Sequence, residues 1–369
     1  MTFDAVATTN PGLEPVASAE VADLVGSDAT VDHRGAIRFA CDPADFARLN
    51  RRSRTLHRVL AVLLETRFDD LDGVARAVRR LPLERYLAEG QSFGVRSSRH
   101  GDHPFGSPDV ADTVGQAAID GYRDATGHRL AVDLDDPDVA LHATVRHDRF
   151  RLAVDTTGAS LHDRGWRVCE HDAPVRPTVA ASLVRLAGFT TGESLLDPTC
   201  GSGTVPVEAA LAALDAPHSP DRGYALDRLA FLPAEAPDGS PVAGRKRDRE
   251  PEVSDAGTAV TGRDVDPSWV ECARENAAAA GVDDVSTFEV ADATETPPEA
   301  DCVVCNPPYG IRLGDPESLY RDLFRSFDRG SWSRLVVITG REDLVPWEPD
   351  ERLAVPLGRL NAAVLAFDR

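Results

Sequence analysis

The chain has 369 residues, 42 % of them hydrophobic, which is enough for two or three domains with real cores. Its formal net charge of −21 speaks against a generally basic nucleic-acid binder, and no run approaches the ~18–20 apolar residues of a membrane span. Neither a secretory leader nor a disulfide framework among the six cysteines is apparent, so a soluble, cytoplasmic protein, expected to be a monomer, is predicted. In chain order, residues 3–9 read as a strand, 11–26 as a helix with proline near its start, 36–41 as a strand, 43–52 as a helix and 56–66 as a strand. That is a small α+β unit of ferredoxin-like type over residues 1–70. A second unit, 71–158, follows: a helix at 71–82, a strand at 92–99, a helix at 107–127 with Ser107 as N-cap, a strand at 129–134 and a hairpin within 138–158. Residues 159–190 are a linker and capping segment. From 191 to 369 strands and helices alternate, the pattern of a doubly wound, mostly parallel α/β sheet. Residues 233–257, rich in Pro, Gly and charge, read as a disordered surface insertion.

Charge distribution qualifies the net figure. All the basic residues except Lys246 are Arg, and Asp outnumbers Glu about two to one. Such a bias fits a salt-filled cytoplasm, as in a halophilic archaeon, where hydrated carboxylates keep proteins soluble. Residues 34–100 nevertheless carry 14 Arg against 8 acidic residues. This basic island is the expected place for phosphate contacts, set against the plainer reading of a solvated Arg-rich face.

Two motifs carry chemistry. "LLDPTCGSG" (195–203) is a strand running into a glycine-rich turn and then a helix, a joint that presents backbone and a helix N-terminus to a ligand. It lacks both the GxGxxG spacing and the Lys-Ser/Thr of a phosphate loop. "DCVVCNPPY" (301–309) is a buried strand stopped by two prolines, so that Asn306 offers a side-chain oxygen beside a stiff backbone carbonyl, with Tyr309 as a flat surface. Cys302 and Cys305 form a CxxC, but residues i and i+3 of a strand face opposite ways and cannot chelate together, so no metal site is expected. The same alternation points Cys305 away from Asn306, against a cysteine-nucleophile route.

The two motifs resemble motifs I and IV of the class I S-adenosylmethionine-dependent amino-methyltransferases, over about residues 173–369. That resemblance implies a Rossmann-like domain with S-adenosylmethionine as cofactor. It assigns Asp197, Thr199, Cys200, Gly201, Ser202, Gly203 and Thr204 to the cofactor turn. Asp264 would accept from the ribose hydroxyls, Val265 would lie against the adenine, and Asp292 with Ala293 would meet the adenine amine. Asn306 would also face the cofactor, and Thr178, in a segment closing over the methionine end, is either a contact or a helix cap. Asn306, Pro307, Pro308 and Tyr309 form the catalytic tetrad. Asp266 is expected to cap the following helix.

Upstream, "FGVRSSRHGDHPFGSPDVADTVGQAA", "VDLDDPDVALHATV", "DTTG" and "LHDRGWR" resemble the RNA-binding THUMP domain and its junction, while "TTNPGLEP" is similar to the opening of the ferredoxin-like domain before it. Together with "NPPYGIRLGD" they resemble the RNA guanine-N2 methyltransferases, closest to the branch acting on the tRNA acceptor stem (position 6) and its ribosomal-RNA relatives. The branch acting at the D-arm base (position 10) usually has Asp where Asn306 stands. The implied partner is tRNA, with rRNA as alternative. Arg96, Arg99, His103, Phe105 and Arg312 are the candidate RNA contacts. A non-catalytic RNA-binding protein is the reading from a different class, and the intact tetrad argues against it.

Overall fold

In the computed structural model, residues 2–170, 175–219, 222–232, 259–308, 315–358 and 360–369 are described. Alternation along the first strand, β1 (Phe3–Thr9), buries Phe3, Ala5 and Ala7 and leaves Asp4 and Thr8 on the more open face. It is followed by α1 (Glu14–Val25), β2 (Thr30–His33), β3 (Ala36–Cys41), α2 (Pro43–Arg52) and β4 (Leu56–Arg67). Then come α3 (Leu71–Arg79), β5 (Ser92–His100), α4 (Ser107–Thr126), β6 (Ala131–Val132), β7 (Val139–Arg146) and β8 (Arg149–Asp155). All eight strands form one sheet, ordered β2-β3-β1-β4-β8-β7-β5-β6. The two N-terminal units are therefore fused edge to edge, because the long β4 pairs with β8 from Leu60↔Asp155 to Arg67↔Arg149. They also share one apolar core, in which Phe46, Phe93, Phe150 and Leu83 are fully enclosed.

Two sequence expectations need correction here. The cap of α4 is Gly106, not Ser107: the Asp109 carboxylate accepts the Gly106 N–H, which closes the turn one residue earlier. The strand expected at 129–134 shrinks to β6, because only Ala131 and Val132 pair with β5.

The second half contains α5 (Pro177–Leu186), β9 (Ser194–Asp197), α6 (Thr204–Ala213), β10 (Ala259–Asp264), α7 (Pro267–Ala280), β11 (Ser286–Val290) and β12 (Cys302–Cys305). It ends with α8 (Pro316–Arg329), β13 (Arg334–Thr339), β14 (Glu351–Leu357) and β15 (Leu360–Asp368). The sheet order is β11-β10-β9-β12-β13-β15-β14, parallel through β13 and antiparallel at the final hairpin. This is the mixed, mostly parallel Rossmann-like sheet. Its strands are covered on both faces, so β12 and β13 alternate between two cores: Cys302, Val304, Val336 and Ile338 on one side, Val303, Cys305, Leu335 and Val337 on the other. The α8 helix covers the second face with Tyr320, Leu323, Phe324 and Phe327, spaced as one helical stripe. The insertion read at 233–257 lies outside the described residues.

The two halves interlock. Leu13 and Val16, from the N-terminal half, belong to the core of the second half. Gly12 passes so close to β14 that a Cβ there would lie 2.0 Å from the Ala354 carbonyl oxygen, and its φ of 90° suits only glycine well. Around this seam Arg164, with its side chain fully buried, pairs with the equally buried Glu208 at 2.9 Å. Arg54 donates to the Leu211 carbonyl at 2.8 Å, and His218 meets the Asn50 carbonyl at 3.1 Å.

Candidate active site

The carboxyl ends of β9, β10, β11 and β12 converge on one crevice, the usual ligand site of an open α/β sheet. Asp197 closes β9 with only 2 % of its surface exposed. Its Oδ1 accepts the Thr199 N–H at 3.0 Å. Burial pushes the Asp197 carboxyl up to about 8, and the neighbouring Asp264 adds in the same direction against the Thr199 hydrogen bond. The turn then carries Gly201 and Gly203 in left-handed conformations, φ 52° and 78°, before α6 begins at Thr204. Cys200, Ser202 and Thr204 have buried side chains, so the turn shows a ligand chiefly its backbone.

Asp264 ends β10 and braces this turn: Oδ2 accepts the Gly201 N–H at 3.0 Å, and Oδ1 accepts the Asp266 N–H at 3.0 Å. Each oxygen keeps lone-pair capacity for a ligand hydroxyl. Asp266 caps α7, accepting the Ser268 N–H at 2.8 Å. Val265 is 67 % exposed, and Val290, at the end of β11 in register with Asp264, is 56 % exposed. Two bare valines at adjacent strand ends are apolar surface for a flat ring to cover. Asp292 follows β11, with Oδ1 held by the Thr294 N–H and hydroxyl, and Ala293 is buried behind it. A backbone turn, a diol acceptor and an apolar ring seat suit S-adenosylmethionine.

Asn306 follows β12. Its Oδ1 is buried and accepts no hydrogen bond from the described residues, a costly state for an amide oxygen unless something else fills it. Its backbone carbonyl accepts the Thr199 hydroxyl at 3.2 Å. Pro307 is buried and Pro308 exposed. Tyr309 and Arg312 lie outside the described residues. Cys305 points into the opposite core with its thiol raised by burial, so it remains an unreactive thiol rather than a thiolate.

Thr178 stands in the first turn of α5. It is completely buried, and its hydroxyl meets Asn10 Nδ2 at 2.9 Å and His57 Nε2 at 3.0 Å. The cap of α5 is Arg176, so the Thr178 side chain is not the helix cap; its hydroxyl ties the N-terminal half to α5. Burial holds the His57 imidazole down at about 4, keeping it neutral in this bond.

Sequence reasoning missed Asn276. Buried mid-helix in α7, it accepts the Val168 and Cys169 N–H groups on Oδ1 and donates to the Cys169 and Ser202 carbonyls from Nδ2. It thus fastens the linker to the glycine-rich turn. Its only sequence signal is a polar residue on a helix face that otherwise packs inward. One turn away, Cys169 and Cys272 form a disulfide across a sequence separation of 103. Reducing it is expected to cost roughly 2–4 kcal/mol. Thermal unfolding with and without a phosphine reductant, beside a Cys169→Ser variant unaffected by the reductant, measures this.

Asp197 gives a pH signature. An unfolded Asp titrates near about 3.9, so between there and about 8 the folded state holds a proton that the unfolded state has lost. Stability from this group therefore falls as pH rises through that window. Asp197→Asn is expected to flatten the decline in melting temperature between pH 5 and pH 8, measured by calorimetry.

Among the RNA candidates, Arg99, His103 and Phe105 come together. Arg99 donates to the Gly101 carbonyl at 2.7 Å and approaches His103, whose ring stacks on Phe105 at 5.0 Å and near Phe68. Arg96 leaves the opposite side of β5. It is exposed and lines a cavity of about 740 Å³ with Arg58, His142, Asp155, Tyr224 and Arg228. That cavity also holds Asp135, Asp136, Asp138 and Asp227, so its charge is mixed.

Comparison with known proteins resolves the class. Residues 4–60 match the RlmL ferredoxin-like domain, 68–155 the THUMP domain, and 164–346 the RMKL-like methyltransferase domain. A tRNA (guanine(6)-N2)-methyltransferase of Archaeoglobus fulgidus is 37 % identical over 90 % of this chain and 82 % of its own length. The chain belongs to the THUMP-domain methyltransferase family. A second relative of that description, from Methanocaldococcus jannaschii, is 33 % identical over 93 % of this chain and 92 % of its own. The ribosomal RNA large subunit methyltransferase K/L of Photobacterium profundum is 31 % identical over 98 % of this chain, which spans about half (52 %) of that larger protein. This THUMP-domain protein is thus an S-adenosylmethionine-dependent methyltransferase. Among the described residues no helix is long and apolar enough to cross a membrane, and no three His, Cys, Asp or Glu side chains are grouped to hold a metal.

Proposed function

We propose that the protein methylates the exocyclic N2 amine of a guanosine in tRNA, at position 6 of the acceptor stem. The observation that carries this reading is the buried Oδ1 of Asn306, an acceptor that finds no donor among the described residues. The names of the two relatives that match most of this chain support the choice of tRNA and of guanine N2.

When bound, S-adenosylmethionine supplies an electrophilic methyl group. Asp197, Asp264, Val265, Asp292 and the backbone of the 199–204 turn would hold it. The protein's own task is the acceptor, since the amine lone pair of guanine is delocalised into its ring. Asn306 Oδ1 and the Pro307 carbonyl accept the two N–H groups, drawing the nitrogen toward tetrahedral geometry and freeing the lone pair. Pro307 and Pro308 keep those acceptors stiff, so positioning replaces any protein nucleophile. Tyr309 would stack on the base, and a paired guanine must first leave its helix. The basic island and the Arg99–His103–Phe105 cluster, with Arg96 and Arg312, are the proposed RNA contacts.

The test is incubation in multimolar KCl with labelled S-adenosylmethionine and either unmodified tRNA or ribosomal RNA, followed by nucleoside mass spectrometry. N2-methylguanosine in tRNA, lost when G6 is replaced, is expected. Label confined to rRNA, or to position 10, would move the substrate. No label in any RNA by a protein that binds cofactor would overturn the proposal.

A further inference from the structure

We infer that Thr199 is a positioning residue for the methyl acceptor: its hydroxyl pins the Asn306 carbonyl and so sets the aim of the Asn306 side chain. The inference rests on the acceptor role proposed for Asn306. Strands β9 and β12 pair only through Cys302↔Leu195 and Val303↔Leu196, and beyond these residues they part to open the crevice. The catalytic loop thus leaves the ladder just before its working residue. Its next two residues are prolines, which have no N–H to donate.

Thr199 closes that gap. Its hydroxyl lies 3.2 Å from the Asn306 carbonyl oxygen and 3.4 Å from Cys305 Sγ. A hydroxyl has one proton, and here it is donated to the carbonyl, leaving oxygen lone pairs toward the sulfur. Burial keeps the Cys305 thiol protonated, so it can donate in turn. The Asp197 carboxyl also lies beside this hydroxyl, while Cys305 is placed to donate to Thr199 and Thr199 to the Asn306 carbonyl. The Thr199 backbone is itself fixed, its N–H on Asp197 Oδ1 at 3.0 Å, and a β-branched side chain has few rotamers. Asn306, preceding a proline, is confined to extended backbone. With its carbonyl held, only its side-chain torsions remain free.

This single hydroxyl joins the glycine-rich turn to the acceptor loop. It couples the place where the methyl donor is held to the place where the amine is received.

The test is Thr199→Val, which keeps the shape and removes the hydroxyl, beside Thr199→Ser, which keeps the hydroxyl. Readouts are kcat and KM for tRNA, calorimetric affinity for S-adenosylhomocysteine, and melting temperature. Thr199→Val is expected to lower kcat by roughly 10–100-fold, as small misplacements of reacting groups do, with KM and cofactor affinity within about threefold. Thr199→Ser is expected to restore kcat to within about threefold. A Thr199→Val enzyme as fast as the wild type, a Thr199→Ser enzyme as slow as Thr199→Val, or a loss of cofactor affinity parallel to kcat would overturn the inference. A wild type that methylates no nucleoside would overturn the acceptor reading itself and this inference with it, a result distinct from the first three.

Discussion

Asn306→Ala is expected to lower kcat for RNA methylation by about 10²–10³-fold or more, the loss typical of removing one preorganised hydrogen-bonding group from a transition state. The reason is local. Asn306 Oδ1 is buried and accepts nothing from the described residues, so truncation breaks no hydrogen bond of that oxygen among them. Melting temperature should change little, and affinity for S-adenosylhomocysteine should stay within a few-fold. Asn306→Asp keeps an oxygen acceptor in place and should retain measurably more activity than Asn306→Ala. An alanine variant that methylates at near the wild-type rate would remove Asn306 from the mechanism.

The second large effect is on stability. Glu208→Ala should destabilise the protein by about 3–5 kcal/mol, because it strands buried positive charge. Arg164 would lose its partner at 2.9 Å, and the largely buried Arg54 its longer contact at 3.9 Å. Replacing both members of the closer pair, Arg164→Met with Glu208→Leu, should recover much of the loss, since apolar side chains of similar volume carry no charge to desolvate. Chemical denaturation of the single and double variants measures both. A single variant as stable as the wild type would show that water reaches this pair.

The same ion pair explains why the boundary between the halves was poorly legible in sequence. Arg164 lies in the junction motif and Glu208 in an otherwise apolar helix, and neither spacing nor periodicity links residues 44 positions apart. Strands and helices were legible because their signals are local: the apolar run of β1, the helical spacing of α3, the Asp266 cap of α7. Pairings between distant segments were not. The fusion of the N-terminal units through β4 and β8 depends on edges that no local pattern reveals. Asn10, His57 and Thr178 each read separately as turn, strand and helix residues, and only the fold brings them to one hydrogen-bonded cluster. Gly106 displaced Ser107 as the cap of α4 because Asp109 reaches back to the Gly106 N–H, a side-chain contact that outweighed the preference for serine. At the site, Asp197, Asp264 and Asp292 were singled out through the family resemblance, and the fold sets them at or just after the ends of β9, β10 and β11. The brace from Asp264 to Gly201 and the four bonds of Asn276 were not, since they join loops far apart in sequence.

Gly12 against Ala354 also constrains how the molecule is made. The segment that seals the catalytic core with Leu13 and Val16 leaves the ribosome about 340 residues before the strand it rests on. At about 5–20 residues per second, the opening segment waits tens of seconds before its seat exists. The eight-stranded sheet can close around its own core in that interval and hold the segment in place. Residues 12–16 thus find their final neighbours long after they are made, and anything that trapped them in the interval would spoil the catalytic half rather than the half they belong to.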